Sequence, residues 1–557
     1  MRVTVVTSIV FVLLCFPVSL GAQEETTQTT TQKETYKTPE PYVGRVKKEG
    51  AVLEVSLNDA IRLALTNNLE IEIENFNEDL ARERIIGTKG FYDPTFAFQL
   101  NWNSFEQPNT RVLDAGVDIL ATIRKRWTFN TSYQQNIVGG TLFRIFLNND
   151  RGTSNDFYST INPNYGSDFG FQFTQPLWKG FRQTQTERQI KLYNLDTNIS
   201  DSAFKERVSS IIQRVENQYW ELVFAIENYE ARRRSLELAV VQFHNNEKRV
   251  EIGVMAPIEI TSSRAEVATR EQEMITSEVQ IINAQNALKG LLSSDPKESI
   301  WNITLIPTDQ PKVQDLPLTL DDAIDMAIRK RPELEQIQLE VSKLDVDRQF
   351  YKKEGKPTID LAAGLTSIGT AGQTFSFIND PNTGQQIKVP DPNNPFLGDY
   401  RQAWDQAFRF RWLNWQVGVN VEIPLRNRTN EAQLAQIELN ERQLRSRLKA
   451  GQQEIMVDVR NAYESISTRR KGYEAARVAR QLVEEQLEGE NKRFEAGLST
   501  NFEVLRYQRD LAQAEVQELR AIVDYQLAVT ALREATFSII EDSDITLAKK
   551  DSDNQSW

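Results

Sequence analysis

The longest regular pattern in the chain is helical. Residues 181–252 contain neither Pro nor Gly, and within them Ile212, Val215, Tyr219, Leu222, Ile226, Tyr229, Leu236, Val240 and Phe243 recur in alternating steps of three and four, with only Arg233 off the seam. Such spacing makes the narrow apolar stripe of a coiled coil. As one helix these about 72 residues would span roughly 105–110 Å, far beyond the usual length in a globular domain. Met456, Val459, Tyr463, Ile466 and Tyr473 carry the same seam further along the chain. Gly253 and Gly497 suit a left-handed helix cap, so each long helix should stop there and turn into a second one, at about 257–291 and 502–540.

Between these helices the period changes to two. Trp415, Val417, Val419, Val421 and Ile423 alternate with Gln416, Gly418, Asn420 and Glu422; Phe96, Phe98, Leu100 and Trp102 alternate with Ala97, Gln99 and Asn101; Phe169, Phe171 and Phe173 alternate with Gly170, Gln172 and Thr174. Ile359–Leu365 is a weaker fourth case. Strands with one apolar, aromatic face and one polar face are expected of a transmembrane β-barrel, and equally of a half-buried strand in a soluble sandwich. In the barrel, Trp415, Val417, Val419 and Val421 would face lipid and Asn420 the lumen. The Asn/Gly/Pro-rich stretch 379–399 suits an extracellular loop.

The ends of the chain bear on that choice. Residues 1–22 have a cationic Arg2, an apolar run and small residues before the expected cleavage point, the pattern of a secretory signal peptide. Residues 23–54 are a Thr/Gln/Glu/Lys-rich lead expected to be disordered, and 541–557 are a similar acidic tail. After residue 22 no apolar run reaches the ~18–20 residues that a spanning helix needs, and the mean hydropathy of -0.49 agrees. An exported chain of this kind crosses a membrane, if at all, with strands.

The chain also repeats itself. VSLNDAIRLALTNNLEI at 55–71 matches LTLDDAIDMAIRKRPEL at 318–334, and KRVEIGVMAPIEI at 248–260 matches KRFEAGLSTNFEV at 492–504. The offsets, about 263 and about 244 residues, differ by about 19, which is taken as a loop-length difference. Two copies of one architecture, at 55–310 and 318–540, account for this. Four strands cannot close a barrel, for which about eight is the minimum. Three chains of about four strands would close one of about twelve, above a ring of about twelve helices.

Composition removes most alternatives. With 65 Lys+Arg against 78 Asp+Glu, a formal charge of -13, the chain has the wrong sign for a nucleic-acid binder. One Cys (Cys15), one His (His244) and five Met close off most thiol, imidazole and transition-metal chemistry. There is no phosphate-binding loop and no dinucleotide fingerprint. No catalytic site, metal or cofactor is expected, and charged residues such as Glu216 and Arg232–Arg234 are expected on solvated helix faces and in inter-helix ion pairs.

The order of these features resembles the TolC family of trimeric outer-membrane efflux ducts. The resemblance rests on the twofold repeat, the L-x-x-A-I start of each copy (Leu57, Ala60, Ile61; Leu320, Ala323, Ile324), Pro94-Thr95 and Pro357-Thr358, the strand exits Gln175–Leu177 and Ile423–Leu425, and the K-R-x-E-x-G helix ends. It implies an α+β membrane protein: a trimeric, 12-stranded transmembrane β-barrel continuous with a periplasmic α-helical coiled-coil barrel, with two repeats per chain. It also implies a homotrimer seated in outer-membrane lipid and working with a periplasmic adaptor protein and an inner-membrane pump. Glu259 and Glu503 fall where the family rings its periplasmic gate with acids, whereas Arg506 stands where a second acid can occur and could pair with Glu503. Gly253, Pro257, Ile258, Gly497, Asn501 and Phe502 mark the turns expected to dock the adaptor. The alternative is a periplasmic or secreted coiled-coil structural protein with a small soluble β domain.

Overall fold

The computed structural model describes residues 39–109, 119–313 and 318–543. The signal peptide and nearly all of the expected acidic tail lie outside them. The first repeat runs α2 (Leu57–Asn67), α3 (Leu69–Lys89), β2 (Thr95–Pro108), β3 (Ala121–Ile137), β4 (Thr141–Ser154), β5 (Ile161–Pro176), α4 (Gln185–Glu251) and α5 (Ile258–Leu292). The second runs α6 (Leu320–Lys330), α7 (Pro332–Glu354), β7 (Thr358–Asn379), β8 (Gln386–Pro390), α8 (Tyr400–Phe408), β9 (Leu413–Glu422), α9 (Arg428–Glu495) and α10 (Asn501–Ala535), closed by α11 (Ile539–Asp542). Before them stand α1 (Tyr42–Glu49) and β1 (Val52–Val55), which pairs in parallel with β6 (Thr304–Pro307).

The long helices form where the seams place them. Thr184 opens α4 with a capping box, its hydroxyl accepting from the Glu187 amide while the Glu187 carboxylate accepts from its own. All nine seam residues of α4 are buried. They pack against α5 on one side and α10 on the other, giving the lateral order α5, α4, α10, α9. At mid-length, the fully buried Tyr219 donates its hydroxyl hydrogen to the Asp309 carboxylate (2.8 Å) or the Val55 carbonyl (3.1 Å), tying the helix to the small β1–β6 sheet.

Two expectations are corrected and one is narrowed. Within the lead expected to be disordered, α1 is a docked helix: Tyr42 and Val46 are buried, and the Tyr42 ring stands edge-on to Tyr229 at 5.5 Å. Two apolar side chains one helical turn apart suffice for this in a segment otherwise polar. Of the two places expected for Glu216, a solvated face or an inter-helix ion pair, it takes the second. It is 1% exposed in α4 and accepts from Thr530 (2.7 Å) and Arg533 (2.9 Å) of α10.

The second correction concerns the sheet. Among the described residues six long antiparallel strands, not four, lie in the order β2-β3-β4-β5-β7-β9, with β8 pairing the far end of β7. The 19-residue offset is therefore not a loop difference. The first repeat inserts a hairpin, β3–β4, between its two expected strands, where the second repeat carries β8 and α8 between its own.

Candidate functional site: the membrane strands and the hairpin tips

Register decides which side chains share a face of the sheet. Leu100 lies opposite Phe129, Leu147 opposite Phe169, Phe171 opposite Leu365, and Leu365 opposite Trp415. Because side chains alternate strictly along each strand, one face carries Phe96, Phe98, Leu100, Trp102, Phe171, Phe173, Trp415, Val417, Val419 and Val421. The other carries Gln99, Asn101, Asn130, Gln172, Gln416 and Asn420. Trp415 is 71% exposed and Phe96 73%, and among the described residues no second sheet covers either. A soluble sandwich would bury such a face. In a bilayer it meets lipid.

The apolar face has an upper limit. Helix α8 crosses it at the level of Asn149, Ser167 and Gly369, where the Trp404 indole donates to Asn149 Oδ1 (2.7 Å) and Tyr400 packs on Phe129 and Tyr165. Gly369 permits the approach, since a Cβ there would stand 1.9 Å from the Ala403 carbonyl oxygen. Below α8, residues 413–422 of β9 span the face, close to the ~9–11 residues that a tilted strand needs to cross a bilayer. Among the described residues no helix is long and apolar enough to cross a membrane.

At the opposite end of the molecule the two hairpins turn by the same device. Gly253 (φ +78°) donates to the Val250 carbonyl and Val254 to the Arg249 carbonyl; Gly497 (φ +74°) donates to Phe494 and Leu498 to Arg493. These paired bonds are the Schellman cap that a left-handed residue makes possible. Both turns present apolar side chains to solvent: Ile252, Val254 and Ile258 in one, Leu498 and Phe502 in the other. Pro257 starts α5. Arg249 stacks over the Phe494 ring at 4.3 Å, holding the two tips together.

Asn501, expected among the docking residues, is instead buried at 3% exposure. Its side-chain oxygen accepts from Asn246 (2.7 Å) and Gln242 (3.0 Å), and its amide donates to Glu259 (3.0 Å). Asn246 also donates to Ser263 (2.7 Å). A buried polar network of this kind is stabilising only while every member is paired. It joins α4, α5 and α10 at the tip. Of the expected gate residues, Glu259 is thus held inside one chain, and Glu503 pairs with Arg506 at 2.6 Å. His244 lies beside Phe243 on α4, half exposed, with Glu247 3.6 Å from its Nδ1.

A sheet with one lipid-compatible face is thus joined to a bundle of paired long helices. Residues 323–536 match the family model described as Outer membrane efflux protein. The overall fold of the chain is similar to the outer-membrane channel OprN (14% identity, 86% of this chain and 89% of that one, TM-score 0.59). It is also similar to the CmeC outer membrane channel of Campylobacter jejuni (15%, 87% and 89%, 0.57) and to the open state of the Neisseria gonorrhoeae MtrE channel (16%, 86% and 88%, 0.55). No curated protein matches the sequence.

Proposed function

We propose that three copies of this chain stand side by side as a passive export duct, joined at the hairpin tips to a periplasmic adaptor protein and an inner-membrane pump. The observation that carries the trimer is a pair of unpartnered flanks on each chain. One flank has the free backbone edge of β2, the exposed stripe Ile73, Phe76 and Leu80 on α3, and the stripe Ile275, Val279 and Ile282 on α5. The other has the free edge of β9, then Leu439, Val478 and Leu482 on α9. Open strand edges are costly in lipid, several kcal/mol per unpaired group. Stripes at helical spacing cover one another when copies pack flank to flank. The exposed tips Ile252, Val254, Ile258, Leu498 and Phe502 supply an apolar surface for the adaptor.

Glu259 and Glu503 from three chains would set six carboxylates at the narrow end, with Arg506 offsetting part of that charge. Fractionation is the test. The protein should sit in the outer membrane and run in mild detergent as a trimer that heat dissociates; a soluble periplasmic monomer overturns the reading. For the gate, changing both Glu259 and Glu503 to Gln should lower cation preference and blunt divalent block in single-channel recordings, and unchanged selectivity removes these two from the pore.

A further inference from the structure

We propose that the β3–β4 hairpin is part of the membrane wall itself, so that each chain brings six strands and three chains close an eighteen-stranded barrel. The inference rests on the export-channel reading and its trimer, and it replaces the twelve strands that the resemblance implies.

Three observations carry it. First, the ladder is continuous. β2 pairs with β3 from Thr95↔Gln134 to Pro108↔Ala121, β3 with β4 from Arg124↔Ser154 to Ile137↔Thr141, and β4 with β5 from Leu142↔Thr174 to Gly152↔Asn164. β2 has no pairing with β5. Moving the hairpin out would strip one edge from each of β2 and β5 within the hydrocarbon layer, where unpaired backbone groups are most costly.

Second, the hairpin obeys the same two-sided rule as its neighbours. Trp127, Phe129, Phe143, Ile145 and Leu147 continue the apolar face between Leu100 and Trp102 on one side and Phe169, Phe171 and Phe173 on the other. Trp102 and Trp127 stack with centroids 6.0 Å apart. Thr128, Asn130, Ser132, Arg144 and Asn148 fall on the polar face, where Asn101 donates to Thr128 (3.4 Å).

Third, the hairpin turn is anchored at the helical end of the sheet. Gly139 (φ +101°) donates its backbone N–H to Glu187 Oε1 (3.0 Å), the same carboxylate that closes the capping box of α4. Gly140 (φ +89°) sits so close to the Gly180 carbonyl that a Cβ would stand 2.9 Å from it. The turn is thus fastened to the start of the long helix, level with the other strand ends.

Six is also an even number. β2 runs away from the helices and β9 toward them, so β9 of one copy meets β2 of the next antiparallel, with apolar faces on the same side. Barrel diameter grows roughly linearly with strand number, so eighteen strands make a wall about 1.5 times as wide as twelve, in the range of water-filled porins.

The only Cys of the chain is Cys15, within the segment read as a signal peptide, so single-Cys variants can be labelled selectively in isolated outer membranes. The hairpin variants are Ile145→Cys and Arg144→Cys, with Thr131→Cys and Ser132→Cys as a second pair if either fails to assemble. Val419→Cys and Asn420→Cys in β9 are the controls. The expected result is that the Arg144, Ser132 and Asn420 variants react with a charged, water-soluble maleimide, while the Ile145, Thr131 and Val419 variants react with a lipid-soluble maleimide only. If the β9 pair alternates but both residues of each hairpin pair react with the water-soluble reagent, the wall has twelve strands and this proposal falls alone. If the β9 pair fails to alternate as well, the export-channel reading falls with it.

Discussion

The two long helices, α4 and α9, are nearly equal in length, carry equivalent seams and end in the same glycine cap, yet one is interior and the other is a flank. In α4, Tyr219 and Tyr229 are fully buried; their counterparts Tyr463 and Tyr473 in α9 are only partly covered. Val215 and Val459 are both completely buried, but the next position is the buried Glu216 in one and the exposed Arg460 in the other. The cause is company. α4 has α5 and α10 beside it and α3, α7 and α2 against it as well, whereas among the described residues α9 packs chiefly on α10, α7 and α6. A coiled-coil seam specifies that a helix wants partners, not that one chain supplies them all.

The sharpest way to break this comparison is to truncate the matched tyrosines. Tyr219→Ala should cost about 3–5 kcal/mol, as for other large buried aromatics, whereas Tyr463→Ala should cost roughly 1–2 kcal/mol. Urea unfolding of the detergent-solubilised protein measures both, and equal losses would mean that α9 is as enclosed as α4. Next in size is Asn501→Ala, which leaves the Asn246 and Gln242 amides without their shared acceptor. About 1–3 kcal/mol should be lost, and single-channel recordings should show a leakier closed state; a tip as tight as before would mean that the network does not hold it.

At the tips the two repeats agree, so they should respond alike. Gly253→Val and Gly497→Val each force a β-branched residue to positive φ, where the space for the side chain is open. The cost is then the backbone term alone, about 1–2 kcal/mol in each. Thermal dissociation of the trimer measures it, and a difference of more than that amount would show that an adjoining copy packs on one tip only.

The smallest effect is a pH dependence confined to the α4 side. Burial holds the carboxyl of Glu515, on α10, above its usual range, with Arg234 of α4 and Arg480 of α9 opposing the shift. In the window above the ordinary carboxylate value the folded chain then binds more protons than the unfolded one, so stability falls as pH rises through it and stays lost at neutral pH. Glu515→Gln should therefore raise the melting temperature at pH 7 and change little at pH 4. Glu488 on α9 is lowered by its hydrogen bond to Lys492 and fully exposed; Glu488→Gln should leave melting nearly unmoved at both pH values.

Much of the architecture was legible in the residues. The long helices, their glycine stops, the twofold repeat and the apolar sides of β2, β5 and β9 follow from periods of 3.5 and 2. β3 was legible too: Trp127, Phe129 and Tyr133 alternate with Arg126, Thr128 and Ser132, but its basic residues disguised the pattern. β4 was not, because Leu142, Phe143, Ile145, Phe146 and Leu147 put apolar side chains on both faces, and Phe146 is buried against Gly170 on the polar one. The burial of Asn501 was not legible, because an Asn at a helix start reads as a capping or turn residue. Nothing local indicates that Gln242 and Asn246 will meet it from another helix.

By itself, then, the sequence determined the local periodicities, the points where the backbone must reverse, and the division of each strand into a lipid-compatible and a polar side, because these depend on residues a few positions apart. The tertiary structure alone decided that α4 is the enclosed helix, that Glu216 and Asn501 lie inside, and that β3 and β4 separate β2 from β5. The burial of Glu216 and Asn501 depends on surfaces that meet across more than two hundred residues, the strand order on which strands pair, and a seam or an amide carries the same pattern whether its partner is a neighbouring helix, another copy of the chain or water.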